Sequence, residues 1–324
     1  MAHAFAPLAA LGPASHRPAP VHGPGTPWPE TNCALDLYLE LLNVTGRHPE
    51  ALGVVALSAD FLGDAWVTLK PGSDDLQRHG LSVVEYNTWR PLLEHVAHHL
   101  DTGRLMTVET DSWWLPDTAG TAYRNEHTKT SITPLRLDPV ARTMTYLHNA
   151  GCYALEGEDF EALWSEQAPR TWVPIPYVEL VTLCAAPTEQ RMRTEVADAV
   201  RTHLGRAPAS NPVERLRAHL VATLPRIVGD EPAFHKLAFV TTRQLGASAQ
   251  LAAGFLRWWA PDDPDVVRAA RAFTEVAERA GQTQFALARA ARGRRVDLQT
   301  LLAGLPAVWD EAIAAVRASR HGEP

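Results

Sequence analysis

The chain has 324 residues, enough for one large or two smaller domains with substantial cores, and its composition, 46% hydrophobic and 21% charged, is that of a globular protein. A net charge of −7 argues against a nucleic-acid partner, which needs a basic footprint, and no apolar run reaches membrane-spanning length, so no membrane partner is expected either. Three cysteines (Cys33, Cys152, Cys184) with no CxxC spacing indicate neither a disulfide framework nor a zinc knuckle and fit a reducing cytoplasm.

Residues 1–28, rich in Ala, Pro, His and Gly, read as a flexible tail with none of the features of a signal peptide. Pro29, Glu30, Thr31 and Asn32 then supply a breaker followed by helix-capping types. Leu35, Leu37, Leu39, Leu41 and Leu42 predict an apolar helix with Asp36 and Glu40 facing out. That helix begins on Cys33. Backbone N–H groups and the positive end of a helix dipole favour an anion there, which suits a thiolate nucleophile. The alternative is a small, buried, unreactive side chain.

Next, "ALGVVALS" and "DAWVTLK" predict short strands, and "TWRPLLEHVAHHLDTG" a helix ended by Gly103. In that helix His95, His98 and His99 have a spacing that fits either metal ligation or a solvated face; no third ligand announces itself and no metal is assigned. "RLMTVETD" predicts a strand delivering Asp111 at its end, followed by the loop "SWWLPDTAGTAYRNE". "HTKTSITPLRL" and "ARTMTYLHN" predict paired antiparallel strands around Asp138-Pro139, and "WVPIPYVELVTLC" a later strand whose prolines suit an edge. From residue 188 onward, apolar residues at i, i+3 and i+4 predict helices almost throughout, and "TRQLGASAQLAAGFLRWW" has the small residues of tight helix packing. The predicted organisation is α+β: a tail (1–28), a mixed domain (29–187) and a helical domain (188–324).

A turn centred near Asp138 would set His127 opposite Asn149, where the amide can orient the imidazole. A helix-starting Cys, a strand-starting His and an Asn in that chain order match the division of labour in papain-like cysteine enzymes: nucleophile, base, ring orienter. His148, next to Asn149, is an alternative ring partner, and Asn149 alternatively serves a turn before Gly151. Asp111, Trp113 and Trp114 are candidate substrate-binding residues, an acidic group for an amine with aromatic walls to exclude water. They serve equally as a capped loop anchored by two tryptophans. Asn32 is a candidate second donor to an oxyanion, beside the Cys33 N–H. Arg289, Arg292, Arg294 and Arg295 form the most basic stretch, which suits either docking of an acidic partner or a solvated helix end.

"NC" opening a helix, "DSWWLPDTAGTAYRNEHTKTSI", "LHNAGCYALEGEDF", "WRPLLEHV" and "FVTTRQLGA" resemble the bacterial domain-of-unknown-function family numbered 1839. More distantly, the Cys, the strand-end Asp with its "LP" loop and the His resemble the butirosin-biosynthesis acyltransferase, a papain-like enzyme that moves an acyl group from a carrier-protein thioester to an amine. That resemblance implies a papain-like cysteine-enzyme domain with Cys33 as nucleophile and His127 as base. Where the butirosin-type pattern has Asp-Pro, this chain has His148-Asn149-Ala150, so Asn149 takes the third place. It further implies an acyl or peptidyl carrier protein and a small-molecule amine as partners, an aminoacyl cargo, and no cofactor beyond the phosphopantetheine arm of the carrier. A papain-like hydrolase and a non-catalytic carrier-binding module are the alternatives.

Overall fold

The computed structural model of the chain describes residues 8, 10–23, 25–165 and 176–319. Its elements run α1 (Cys33–Val44), β1 (Phe61–Leu62), β2 (Ala65–Trp66), α2 (Ser73–Arg78), β3 (Leu81–Glu85), α3 (Leu92–Asp101), β4 (Leu105–Asp111), β5 (Lys129–Asp138), β6 (Thr143–His148), β7 (Gly151–Glu156), α4 (Gly157–Trp164) and β8 (Val178–Leu183). Helices α5 (Glu189–Arg206), α6 (Pro212–Ile227), α7 (Glu231–Val240), α8 (Thr242–Trp259), α9 (Pro264–Ala291), α10 (Leu298–Leu302) and α11 (Leu305–Ala318) complete it. This is an α+β protein with an N-terminal sheet and a C-terminal helical region. Among the described residues, no helix is long and apolar enough to cross a membrane.

Two compact units share the chain, and their segments interleave. The first comprises Met1–Ala19, Asn32–Pro49 and Pro71–Pro187; the second comprises Pro20–Thr31, Glu50–Lys70 and Thr188–Pro324.

The first unit is built on an antiparallel six-stranded sheet in the order β3-β8-β4-β5-β6-β7. Alternation along β4 and β5 splits its faces. Even-numbered residues such as Met106, Val108 and Ile132 join Val96 of α3 and Phe160 and Leu163 of α4 in an apolar core. On the odd-numbered face Thr107 and Thr133 share a hydrogen bond of 3.0 Å, and Glu179 accepts hydrogen bonds from Tyr38 of α1 and from Tyr177. Helix α1 packs against this polar face. Burial beside Glu179 pushes the Tyr38 phenol well above its ordinary range.

Several expectations change here. Asp36 and Glu40 do not face out; both are fully buried. Glu40 accepts from the Ala19 N–H at 2.8 Å and meets His16 Nε2 at 2.8 Å, so residues 16–19 lie against α1 and are not a free tail. Residues 1–7 lie outside the described set. β8 is an interior strand, between β3 and β4. Pro176 precedes it, and Pro174 lies outside the described residues. "ALGVVALS" forms a 3-10 helix, Pro49–Ser58, in place of a strand; a short apolar run with no alternation serves either shape once buried.

In the second unit, α8 and α9 pack closely through the small residues of α8. Trp28 is seated on that pair: its Nε1–H donates to the Ala277 carbonyl at 3.0 Å, and its backbone exchanges hydrogen bonds with Gln250. Gly246 makes this possible, because a Cβ there would fall inside the Trp28 indole. The 3-10 helix approaches α8 as closely: a Cβ on Gly53 would stand 2.8 Å from Phe255 Cβ. Trp66 donates to Ser248 Oγ at 3.1 Å and meets Trp309 edge-on.

Candidate active site

Asn32 caps α1, its side-chain oxygen accepting from Leu35 N–H at 3.0 Å, so Cys33 is the first residue of the helix. Cys33 is half-buried, and its thiol lies 4.0 Å from Ser131 Oγ on the polar face of β5. Ser131 stands opposite Glu109 in the sheet, and Lys129 stands opposite Asp111. Lys129 Nζ pairs with Glu109 at 2.5 Å. The strand residues are all odd-numbered, so Ser131, Glu109, Lys129 and Asp111 share one face, and the Cys33 thiol lies over that face at Ser131.

His127 continues that row. Its Nδ1 lies 2.6 Å from Asp111 Oδ2, while Asp111 Oδ1 accepts from the Trp113 N–H at 3.0 Å. Because a carboxylate has no proton to give, Nδ1 carries the hydrogen and Nε2 of the neutral ring is the free lone pair. Trp113 stacks on the imidazole, with centroids 4.4 Å apart and planes 12° from parallel. The His127 side chain is 39% exposed, so Nε2 is reachable from solvent. Among the described residues Cys33 and His127 share no hydrogen bond. Ser131 and His127 are separated by four positions, roughly 13 Å of extended chain.

The expected partnership of His127 with Asn149 does not form. Asp138 remains in the strand and pairs with Thr143, and its carboxylate accepts from the Val140 and Ala141 N–H groups, moving the turn toward residues 140–141. His148 therefore pairs with Ile132, and His127 precedes β5. Asn149 sits at the β6–β7 turn with φ of 46°, a left-handed conformation that Asn tolerates. His148 is not the ring partner of His127 either. It belongs to the opposite face, where Nδ1 meets Asp117 Oδ2 at 2.5 Å and Nε2 lies in hydrogen-bond contact with Thr130 Oγ1 at 2.7 Å. Asp117 also accepts from the Tyr146 hydroxyl, and burial beside that carboxylate raises the Tyr146 phenol far above its ordinary range. This buried network ties the loop after β4 to the sheet.

Asp111 consequently has both oxygens engaged by the protein and orients His127, which displaces its expected role as holder of a substrate amine. Trp113 covers His127. Trp114 packs against the apolar core, with Arg124 4.6 Å above its ring, and serves as a loop anchor. Cys152 is buried, which pushes its thiol up to about 11, and Cys184 is exposed. Of the α3 histidines His98 is exposed, whereas His95 and His99 are buried beneath Tyr86, and His95 Nε2 accepts from the Trp89 and Arg90 N–H groups. Among the described residues, no three His, Cys, Asp or Glu side chains are grouped to hold a metal. One signal for the Asp111–His127 pair was available in the sequence: if β4 and β5 are neighbours, the strand-end Asp falls beside the residues that begin the next strand.

The fold and the site thus define an α+β protein with a helix-starting cysteine and a carboxylate-oriented histidine on one face of its sheet. Residues 17–183 match the DUF1839 N-terminal domain and residues 189–318 match the DUF1839 C-terminal domain. The chain belongs to the DUF1839 family. No curated protein matches it.

Proposed function

We propose that this protein is a papain-like, cysteine-dependent acyltransferase that moves an acyl group, of aminoacyl type, from a carrier-protein thioester to an amine. The observation that carries the reading is the Asp111–His127 hydrogen bond, which leaves Nε2 free on the sheet face that also bears Cys33. Asp111 takes the orienting role in place of Asn149.

In the proposed reaction His127 Nε2 accepts the Cys33 thiol proton, and the thiolate adds to the thioester carbonyl carbon. The Cys33 backbone N–H at the helix start offers a donor to the oxyanion. The carrier C–S bond breaks, and the departing pantetheine sulfur takes the proton from His127. An amine then attacks acyl-Cys33, His127 accepts the amine proton, and Cys33 leaves and is reprotonated. Roughly 13 Å of strand separates Ser131, beside Cys33, from His127, so the proton transfer requires a rearrangement that brings the thiol and Nε2 within hydrogen-bond reach, about 2.6–3.2 Å.

Intact-mass analysis after incubation with an aminoacylated carrier protein tests the proposal. The expected result is an acyl adduct on Cys33, absent from Cys33→Ala, slow to form in His127→Ala, and discharged faster by amines than by water. A Cys33 that gains no mass and alkylates only after unfolding would overturn it.

A further inference from the structure

Helix α7 is tied to the end of α9 at two points. Glu231, its first residue, pairs with Arg292 at 3.1 Å, and just past its other end Thr242 Oγ1 donates to Gln284 at 3.0 Å. Held this way, α7 runs antiparallel to the last turns of α9, with Phe239 level with Phe285. The inward sides of both helices are fully used: Phe234, Ala238, Leu287 and Ala290 are buried. Phe239 and Phe285, by contrast, are 52% and 69% exposed. Two large aromatics at the same level on neighbouring helices, outside the core, exceed what packing of this unit requires.

Their surroundings are cationic. Lys236 and Arg243 lie about one turn either side of Phe239, and the Arg243 guanidinium stands 5.2 Å over its ring. Arg289 follows Phe285 by one turn, and Arg292, Arg294 and Arg295 continue the run; residues 282–296 contain no Asp or Glu. The acids beside it are Asp230, the N-cap of α7, Glu231, held by Arg292, Glu30, which pairs with Arg243 at 3.4 Å, and Asp297, the N-cap of α10. In a chain of net charge −7 this patch has the opposite sign.

We infer that the exposed faces of α7 and the end of α9 form a docking surface for an acidic amphipathic helix of a partner protein. Two apolar anchors in a cationic rim complement a helix that presents apolar residues flanked by Asp and Glu. Packed helix axes stand about 8–10 Å apart, so one further helix laid along α7 and the end of α9 can reach both rings. An anionic membrane also attracts cations and aromatics, but the chain's net charge opposes that approach. The inference rests on the carrier-protein reading for the partner's place in the reaction; the surface itself is independent of Cys33.

The test uses the full chain and a fluorescein-labelled helical peptide of Glu, Ala and Leu, with Leu at i, i+3, i+4 and i+7. Anisotropy is read at low and at physiological salt, on wild type and on Cys33→Ala. Expected are equal binding by those two proteins, weakening at higher salt, and a loss of about tenfold or more in Phe239→Ser/Phe285→Ser and separately in Arg289→Glu/Arg294→Glu. Circular dichroism establishes that both double variants keep wild-type helicity. Peptide binding by both proteins alongside failed acyl capture by wild type would remove the transfer reading and leave the surface standing. Absence of peptide binding, undiminished binding by both double variants, binding only to phosphatidylserine vesicles, or a self-associated wild type that Phe239→Ser makes monomeric would overturn the inference.

Discussion

Asp111→Asn separates a ring-orienting role from a loop cap. The carboxylate serves two donors at once: His127 Nδ1 at 2.6 Å and the Trp113 N–H at 3.0 Å. An asparagine offers one oxygen and one N–H₂ in the same plane. If the oxygen keeps Trp113, the amide donor faces Nδ1, and the imidazole must move its hydrogen to Nε2 to accept it. If the amide turns over, Trp113 N–H loses its acceptor and the loop cap opens. In the first arrangement the base nitrogen is blocked by its own proton. Losing an oriented base costs a factor of about 10² to 10⁴ in rate. The stability cost is smaller: one charge-assisted hydrogen bond exchanged for a neutral one, discounted because His127 is 39% exposed, or about 1 kcal/mol. Single-turnover acyl capture at pH 7, with thermal unfolding alongside, reads both quantities. Capture within about threefold of wild type combined with a marked fall in Tm would show that Asp111 is a cap alone and refute the orienting argument.

Iodoacetamide at pH 7 should label half-buried Cys33 well before buried Cys152, whose thiol is pushed up to about 11, and His127→Ala, away from Cys33 until substrate binds, should leave Cys33 labelling unchanged while slowing acyl capture; peptide mapping by mass reads the sites. His79 is buried and its imidazole is lowered to about 4 by burial, so between pH 6.5 and 4 the unfolded chain holds the extra proton. Stability should therefore fall as pH drops through that window, by up to about 3 kcal/mol from this group, and His79→Gln should lessen the decline seen in urea titrations at pH 7 and 4.5. Gly246→Ala should destabilise by about 1–3 kcal/mol despite the better helix propensity of Ala, because the new methyl group falls inside the Trp28 indole; an unchanged Tm would contradict that packing.

Much of this architecture is legible in local signals. Asn32 before an apolar run marks the start of α1, Gly103 with φ of 73° marks the end of α3, and the strand ending on Asp111 lies where alternation predicts it. Long-range choices were less accessible. The β5–β6 register depends on whether Asp138 belongs to the strand or the turn, and its side chain bonds into the turn from a strand position. That shift separates Asn149 from His127, and the preceding strand supplies Asp111 as the partner. Glu40 and Asp36 look like the polar side of an amphipathic helix until residues 16–19 cover part of it, which periodicity within α1 cannot reveal.

The interleaving of the two units bears on how the chain can be made and cut. Helix α1, with Cys33 at its start, is flanked by 20–31 and 50–70, and both flanks belong to the second unit. Trp28 and Trp66 find their partners on α8, α9 and α11, some two hundred residues later. During synthesis, therefore, the sheet can be complete while both flanks of the cysteine helix still wait for surfaces the ribosome has not yet delivered. A fragment ending near residue 187 would leave Trp28 and Trp66 without those surfaces, and one beginning there would lack the segments that fill them. The boundary between the two family domains is thus a place where the sequence divides and folding does not.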